Sequence, residues 1–222
     1  MDFFKLIQSL DELIYEVVSW LAFYPLTLWR VISAPLTAMK AAEQELGVTD
    51  RKPFNDRLAP PLFLLLTLIL LHALELATVG ESAVVASDRG FSRLIDDDTN
   101  LIIFRVLMYS ILPLTAALRL VQARNARLDR DRLRPPFYAQ CYAIAVFAVL
   151  SDAAIYVVEN GLVLRGPTYL ISTGLALIWL FMVEARWFAA ELQCSILKGV
   201  GEAALMIGQW LVLLVPVYFL LD

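Results

Sequence analysis

Five apolar stretches follow one another along the chain, each about twenty residues long and separated from the next by a short charged segment. Their predicted bounds are 60–79, 101–120, 137–158, 167–188 and 199–221. Twenty residues of α-helix rise about 30 Å, which matches the hydrocarbon thickness of a bilayer. The pattern therefore predicts an all-α membrane protein with five transmembrane helices.

The residues before the first stretch, 1–59, have a different pattern. Segment 13–39 is apolar, but two charges and two prolines interrupt it: Glu16, Pro25, Arg30 and Pro35. Charges and prolines disfavour one continuous span, so we expect one or two amphipathic helices on the membrane surface. A re-entrant segment or a sixth span is the alternative. Residues 40–46 look like an exposed helix end that Gly47 closes, and the five-span bundle then occupies 60–222.

Composition narrows the function classes. The chain has 60% hydrophobic residues, 18% charged residues and a formal net charge of −4, whereas soluble domains carry about 25% charged residues. This excludes a soluble enzyme, a nucleic-acid-binding module and a disordered chain. The sequence contains no phosphate-binding loop, serine-hydrolase motif or zinc-protease motif, and its single histidine and two cysteines make a poor metal site. We therefore expect no enzymatic activity, no cofactor and no metal.

The basic residues between the stretches predict the orientation. Six lie before the first stretch, six in the second connection and two in the fourth, against three in the first and third connections together. Basic residues concentrate on the cytoplasmic side of membrane proteins. The N-terminus is thus predicted to be cytoplasmic and the C-terminus outside, in agreement with an odd number of spans. We expect the membrane to be a bacterial inner membrane.

Four ionisable residues fall inside the predicted spans: His72, Glu75, Arg105 and Asp152. At 1.5 Å per residue, the two acids and the arginine reach about the same depth in the outer half of the membrane. Such residues are costly in a bilayer and invite a functional hypothesis. The cluster is predicted to be a polar site or proton relay, a structural set of ion pairs, or separate side chains that reach towards the headgroups.

The second connection is rich in arginine. Four of these residues recur every three or four positions and could line one helical face: Arg124, Arg127, Arg130 and Arg134. Basic residues near a membrane surface attract anionic lipid headgroups, at about 1 kcal/mol each. We interpret the set either as a contact for anionic lipids or a partner protein, or as a connection whose charge only determines topology.

Two further features lie in the last two spans. Glu184 and Glu202 are about one turn inside the predicted cytoplasmic boundary, where we expect interfacial charges that reach water. The last span contains Gly201, Ala204 and Gly208, and small residues at this spacing let helices approach closely. This spacing favours tight packing, either within the bundle or between copies of the chain.

The layout as a whole resembles the Yip (Ypt-interacting protein) family of five-span membrane proteins, especially its bacterial members. A helical, proline-containing segment at 24–46 precedes the five spans, an aromatic and small-residue segment at 137–143 begins the third span, and a short amphipathic link at 189–199 joins the last two. The resemblance covers about residues 20–221. It implies association with membranes and partner proteins, and it implies no functional residues.

Two functions follow from these observations. The first is a non-enzymatic scaffold or accessory subunit that organises membrane or partner proteins through the N-terminal region and the arginine-rich connection. The second is a small transporter or channel component in which the intramembrane charges conduct protons or solute. Five spans without an inverted repeat are few for a complete transporter. In either case we expect a homo-oligomer or a subunit of a larger membrane complex, without nucleic acid.

Overall fold

The computed structural model describes residues 3–46, 54–79, 98–159 and 165–221, and these form helices and short turns without a β-strand. The seven helices are α1 (Phe3–Ser33), α2 (Pro35–Glu45), α3 (Pro60–Val79), α4 (Asp98–Ala123), α5 (Arg130–Glu159), α6 (Arg165–Glu191) and α7 (Ile196–Leu221). The last five are long and apolar enough to cross a membrane. The predicted all-α membrane fold with five spans is confirmed.

The five long helices agree with the predicted stretches but extend further at their ends. Only α3 has the predicted bounds. The largest difference is in α5, which begins at Arg130 and continues through Pro135 and Pro136. Asp129 explains this early start, because its Oδ1 accepts a hydrogen bond from the backbone N–H of Arg132 at 2.9 Å. An aspartate in this position caps a helix N-terminus.

The N-terminal region forms two helices that meet at a sharp bend. Helix α1 continues through Pro25 and ends just before Pro35, where α2 turns away by 117°. Ala34 between them has φ −144° and ψ 64°, which agrees with the exclusion of a residue before proline from the helical region. Helices α1 and α2 together pass as one broken span by composition. Their placement on the membrane surface stays a prediction.

Helix α1 presents an apolar stripe that no other described element covers. Its members recur at three- and four-residue intervals and are each at least 41% exposed: Leu10, Leu13, Ile14, Val17, Val18 and Leu21. This spacing forms one face of an α-helix. Such a stripe is what a helix needs for lying in the membrane interface.

Helix α2 ends at Glu45, within the helix end predicted at 40–46, and Lys40 and Gln44 are exposed as expected. Its other face belongs to the bundle core, because Met39 and Ala42 are fully buried and α2 packs against α5. The sequence did not predict this buried face, because the alanines and methionine of α2 form an apolar face too short to stand out. Gly47, predicted to close the helix, lies outside the described residues.

Helix α5 lies at the centre of the bundle. It contacts α2, α3, α4 and α6. In its most apolar segment, 61% of the residues are buried, against 17% in the corresponding segment of α7. Ala139, Ala143 and Ala148 lie on its buried length, and small side chains let neighbouring helices approach. The hydroxyl of Tyr142 donates a hydrogen bond to the carbonyl oxygen of Leu58 at 2.6 Å. This contact ties the segment before α3 to the central helix.

Candidate intramembrane polar site

Three of the four predicted intramembrane residues are in contact. Nη2 of Arg105 on α4 lies 2.5 Å from Oε2 of Glu75 on α3, and Nδ1 of His72 lies 3.7 Å from the same carboxylate oxygen. His72 is 2% exposed and Glu75 is 9% exposed. His72 and Glu75 share a helix face because they are three residues apart. The ion pair joins α3 to α4, which agrees with the similar depth predicted for the two residues.

Asp152 lies beside this group on α5. It is near enough for the charges of Arg105 and Glu75 to act on it, and it forms no ion pair with the described part of the chain. The group has two acids and one arginine. Because Arg105 pairs with Glu75, the carboxyl group of Asp152 is left without an arginine partner. The geometry thus supports a structural pair and, next to it, a separate acidic group.

Asp152 also lines a cavity of about 350 Å³ between α4, α5, α6 and α7. The walls are mainly apolar, with polar side chains at a few positions: Tyr109, Ser151, Asp152, Thr173 and Trp210. The Trp210 ring packs edge-on against Phe147, with ring centroids 6.4 Å apart. Of these polar residues, the sequence reasoning identified only Asp152. The position of Tyr109, one helical turn after Arg105, is the signal that could have indicated a second member.

Glu184 is not the interfacial charge that the sequence predicted. It is fully buried, and its Oε2 accepts a hydrogen bond from Nε2 of Gln140 on α5 at 2.9 Å. The prediction was wrong because depth along a helix does not reveal which face the residue occupies. Glu184 lies on the face of α6 that packs against α5, so neighbouring helices cover it even near the end of the bundle.

Ion pairs join α2, the C-termini of α4 and α6 and the N-terminus of α7. We name this end of the bundle, where α5 also begins, the charged end. Arg119 Nε lies 2.6 Å from Glu202 Oε2. Arg124 Nη2 lies 2.5 Å from Glu191 Oε2, and Arg124 Nη1 lies 3.5 Å from Glu43 Oε1. Arg124, one of the predicted lipid contacts, therefore binds α2 and α6 within the chain.

The other three predicted arginines are exposed: Arg127, Arg130 and Arg134. Arg130 and Arg134 line a groove of about 630 Å³, the basic groove, together with one acidic side chain, Asp131, and with apolar and aromatic side chains, namely Leu114, Leu133, Phe137 and Tyr138. The guanidinium carbon of Arg134 lies 5.3 Å from the centre of the Tyr138 ring, a cation–π geometry. The groove combines positive charge with apolar surface.

The charged end also contains a carboxyl group that two arginines hold. Asp56 Oδ2 lies 2.9 Å from Nη1 of Arg30, and its Oδ1 lies 3.2 Å from Nε of Arg57. Slight burial raises the pKa of Asp56, but the two guanidinium groups outweigh burial and lower that pKa below its usual value of 3.8. Arg57 also pairs with Glu45 at 2.6 Å. These contacts connect α1, α2 and the segment before α3.

Of the two roles predicted for the small residues of α7, close packing within the bundle does not apply to Gly201 and Gly208. A Cβ added at Gly201 or Gly208 would meet nothing within 4 Å. At Gly199, by contrast, it would clash with the carbonyl oxygen of Ala185. The close approach of α6 and α7 therefore depends on Gly199. Gly208 and Ala204 instead line an exposed groove of about 610 Å³ against α4.

Among the side chains that the structure describes, no group of three histidine, cysteine, aspartate or glutamate residues is arranged to hold a metal. Cys141 is buried, Cys194 is half-buried, and both are free thiols. Comparisons of the chain with family models, with curated proteins and with solved structures found no match. The functional interpretation therefore rests on the geometry described above.

Proposed function

We propose that this integral membrane protein is not an enzyme and that it organises membrane lipids or partner proteins, as a scaffold or as an accessory subunit of a membrane complex. The basic groove carries this proposal. Arg130 and Arg134 are exposed and lie one helical turn apart, and Leu114 and Phe137 supply apolar surface beside them. Guanidinium groups recognise phosphate and carboxylate oxygens, while the apolar side chains suit an acyl chain or an apolar side chain of a partner.

The contacts of Arg124 sharpen this assignment. Because Glu191 and Glu43 already bind Arg124, we assign the contact with anionic lipid or partner to Arg127, Arg130 and Arg134. The excess of basic residues on one side of the spans supports a cytoplasmic charged end, in a bacterial inner membrane. The resemblance to the Yip family agrees with this role and belongs to the same proposal.

The exposed groove beside Ala204 and Gly208 supports assembly with a further helix. Small residues allow a neighbouring helix to approach closely in a membrane, and these two face away from the bundle core. We propose that the protein forms a homo-oligomer or joins a larger membrane complex through this surface. The proposal involves no nucleic acid, no cofactor and no metal.

Native mass spectrometry of protein purified in mild detergent from its own membranes tests the scaffold role. The wild type should carry bound anionic phospholipid or a stoichiometric partner, and the double variant Arg130→Gln/Arg134→Gln should lose it. Arg132→Gln is the matched control, since Arg132 is exposed in the same segment and does not line the basic groove. The proposal would be contradicted if all three proteins retained the lipid or partner equally, or if none of the three carried a bound lipid or partner.

A second candidate function is transport, for which the Glu75–Arg105 pair beside Asp152 and its cavity is the supporting observation. An additional acid next to an intramembrane ion pair is the kind of group that proton pathways use. Proton flux into liposomes that contain the purified protein tests it. Transport predicts that Glu75→Gln abolishes flux while the protein stays folded, and absence of flux in the wild type would remove this candidate.

A further inference from the structure

The cavity between α4, α5, α6 and α7 has the size and lining of a ligand site. Its volume of about 350 Å³ lies within the range of small-molecule pockets, about 300–1,000 Å³. Apolar side chains form most of the wall, among them Met108, Leu112, Phe147 and Leu214. Pockets of this kind bind the apolar body of a ligand and use a few polar groups to orient it.

The polar part of the lining contains one carboxyl group, that of Asp152. Asp152 forms no ion pair within the described residues, because the nearby Arg105 lies against Glu75 at 2.5 Å. The neighbouring Ser151 also lines the cavity, and its buried Oγ makes no hydrogen bond to another described residue. A buried polar atom without a partner is uncommon in native proteins. A group that donates hydrogen bonds could therefore bind both Asp152 and Ser151.

Two aromatic rings complete the environment. Tyr109 and Trp210 line the same cavity as Asp152, and the faces of aromatic rings attract cations. A cavity lined by a carboxyl group and two aromatic rings suits a positively charged group better than a negative one. A cation there could form the ion pair with Asp152 that Arg105, which is paired with Glu75, does not form.

We propose that this cavity binds a small apolar molecule that carries a protonated amine, with the amine at Asp152 and Ser151 and the apolar body against Met108, Leu112 and Phe147. The site is separate from the basic groove and does not depend on the scaffold function. It assigns a ligand class to the bundle interior: primary or secondary amines with a compact apolar body.

Isothermal titration calorimetry tests this proposal on the full chain in phosphatidylcholine nanodiscs, with empty nanodiscs subtracted to remove partitioning into lipid. The probe is 4-phenylbutylamine, and 4-phenylbutan-1-ol is its neutral counterpart of similar shape. The amine should bind saturably at one site, and the alcohol should bind at least about tenfold more weakly because it lacks the charge-assisted hydrogen bond. Asp152→Asn should weaken binding of the amine by a similar factor.

Two further variants keep the test decisive. Asp131→Asn removes an exposed carboxyl outside the cavity and should leave binding of the amine unchanged. Leu214→Trp keeps Asp152 but fills the cavity, and it should abolish binding even where Asp152→Asn fails to fold. Equal affinity for amine and alcohol, absence of saturable binding, full binding by Leu214→Trp, or equal losses in Asp131→Asn and Asp152→Asn would each overturn the proposal.

Discussion

Gln140 on α5 donates a hydrogen bond from Nε2 to Oε2 of Glu184 on α6 across 2.9 Å, and both side chains are buried. Glu184 forms no ion pair in the described part of the chain. The amide of Gln140 is therefore the group that compensates this carboxyl for its removal from water. A buried polar atom that loses its only partner retains the full cost of desolvation.

Gln140→Leu should lower the free energy of unfolding by about 1–3 kcal/mol, because Glu184 would stay buried without its partner. The double variant Gln140→Leu/Glu184→Leu should recover most of this loss, since two apolar side chains can replace a buried polar pair. Denaturant titration in mixed micelles measures both. The exposed Gln122→Leu is the control, and a loss as large as that of Gln140→Leu would contradict the explanation.

Gly199→Ala should destabilise the protein by about 1–3 kcal/mol through overpacking. The added methyl group would clash with the carbonyl oxygen of Ala185, so α6 and α7 must separate. Gly201→Ala is the matched control two residues along the same helix, where the methyl group meets nothing within 4 Å. It should be neutral or slightly stabilising, because alanine favours helix over glycine. Thermal unfolding measures the stability of both variants. Equal melting temperatures would contradict the close approach of α6 and α7 at Gly199.

Arg105→Gln should destabilise the bundle by roughly 2–3 kcal/mol, because Glu75 would lose the ion-pair partner that lies 2.5 Å away in a mostly buried setting. The double variant Arg105→Gln/Glu75→Gln should be more stable than Arg105→Gln alone. A double-mutant cycle of unfolding free energies measures this coupling. If Glu75→Gln changes neither stability nor activity, the intramembrane cluster has no role.

Protonation of Asp56 should lower the stability of the folded protein in acid. Arg57 and Arg30 outweigh partial burial, so the pKa of Asp56 is lower in the folded than in the unfolded chain. Asp56 therefore stabilises the fold above its usual value of 3.8, and this contribution is lost as the pH falls through the folded pKa. Asp56→Asn should make the loss of melting temperature below about pH 4 shallower. Asp131→Asn is the control for the removal of one carboxyl group. If the melting temperature of Asp56→Asn falls in acid as steeply as that of the wild type, Asp56 does not cause the acid sensitivity.

Hydropathy alone predicted the five spans, because a span depends only on the apolar character of about twenty consecutive residues. The similar depth of Glu75 and Arg105 was also predictable, since helix rise determines depth. Depth alone left open whether the two side chains pair, and the structure shows that they do. Helix α5 begins at Arg130, before the predicted residue 137. Hydropathy did not reveal this earlier start, because it depends on the polar side chain of Asp129, which caps the helix.

The sequence by itself determined the number of spans and the depth of each charged residue, because both depend only on residue type and on rise per residue. The tertiary structure decided which face of each helix is covered. It buried Glu184 against Gln140, placed α2 in the core, made Gly199 the point of close approach and placed Asp152 in the wall of a cavity. These outcomes depend on the rotation of each helix about its own axis and on its neighbours, which arise from packing among segments distant in the chain.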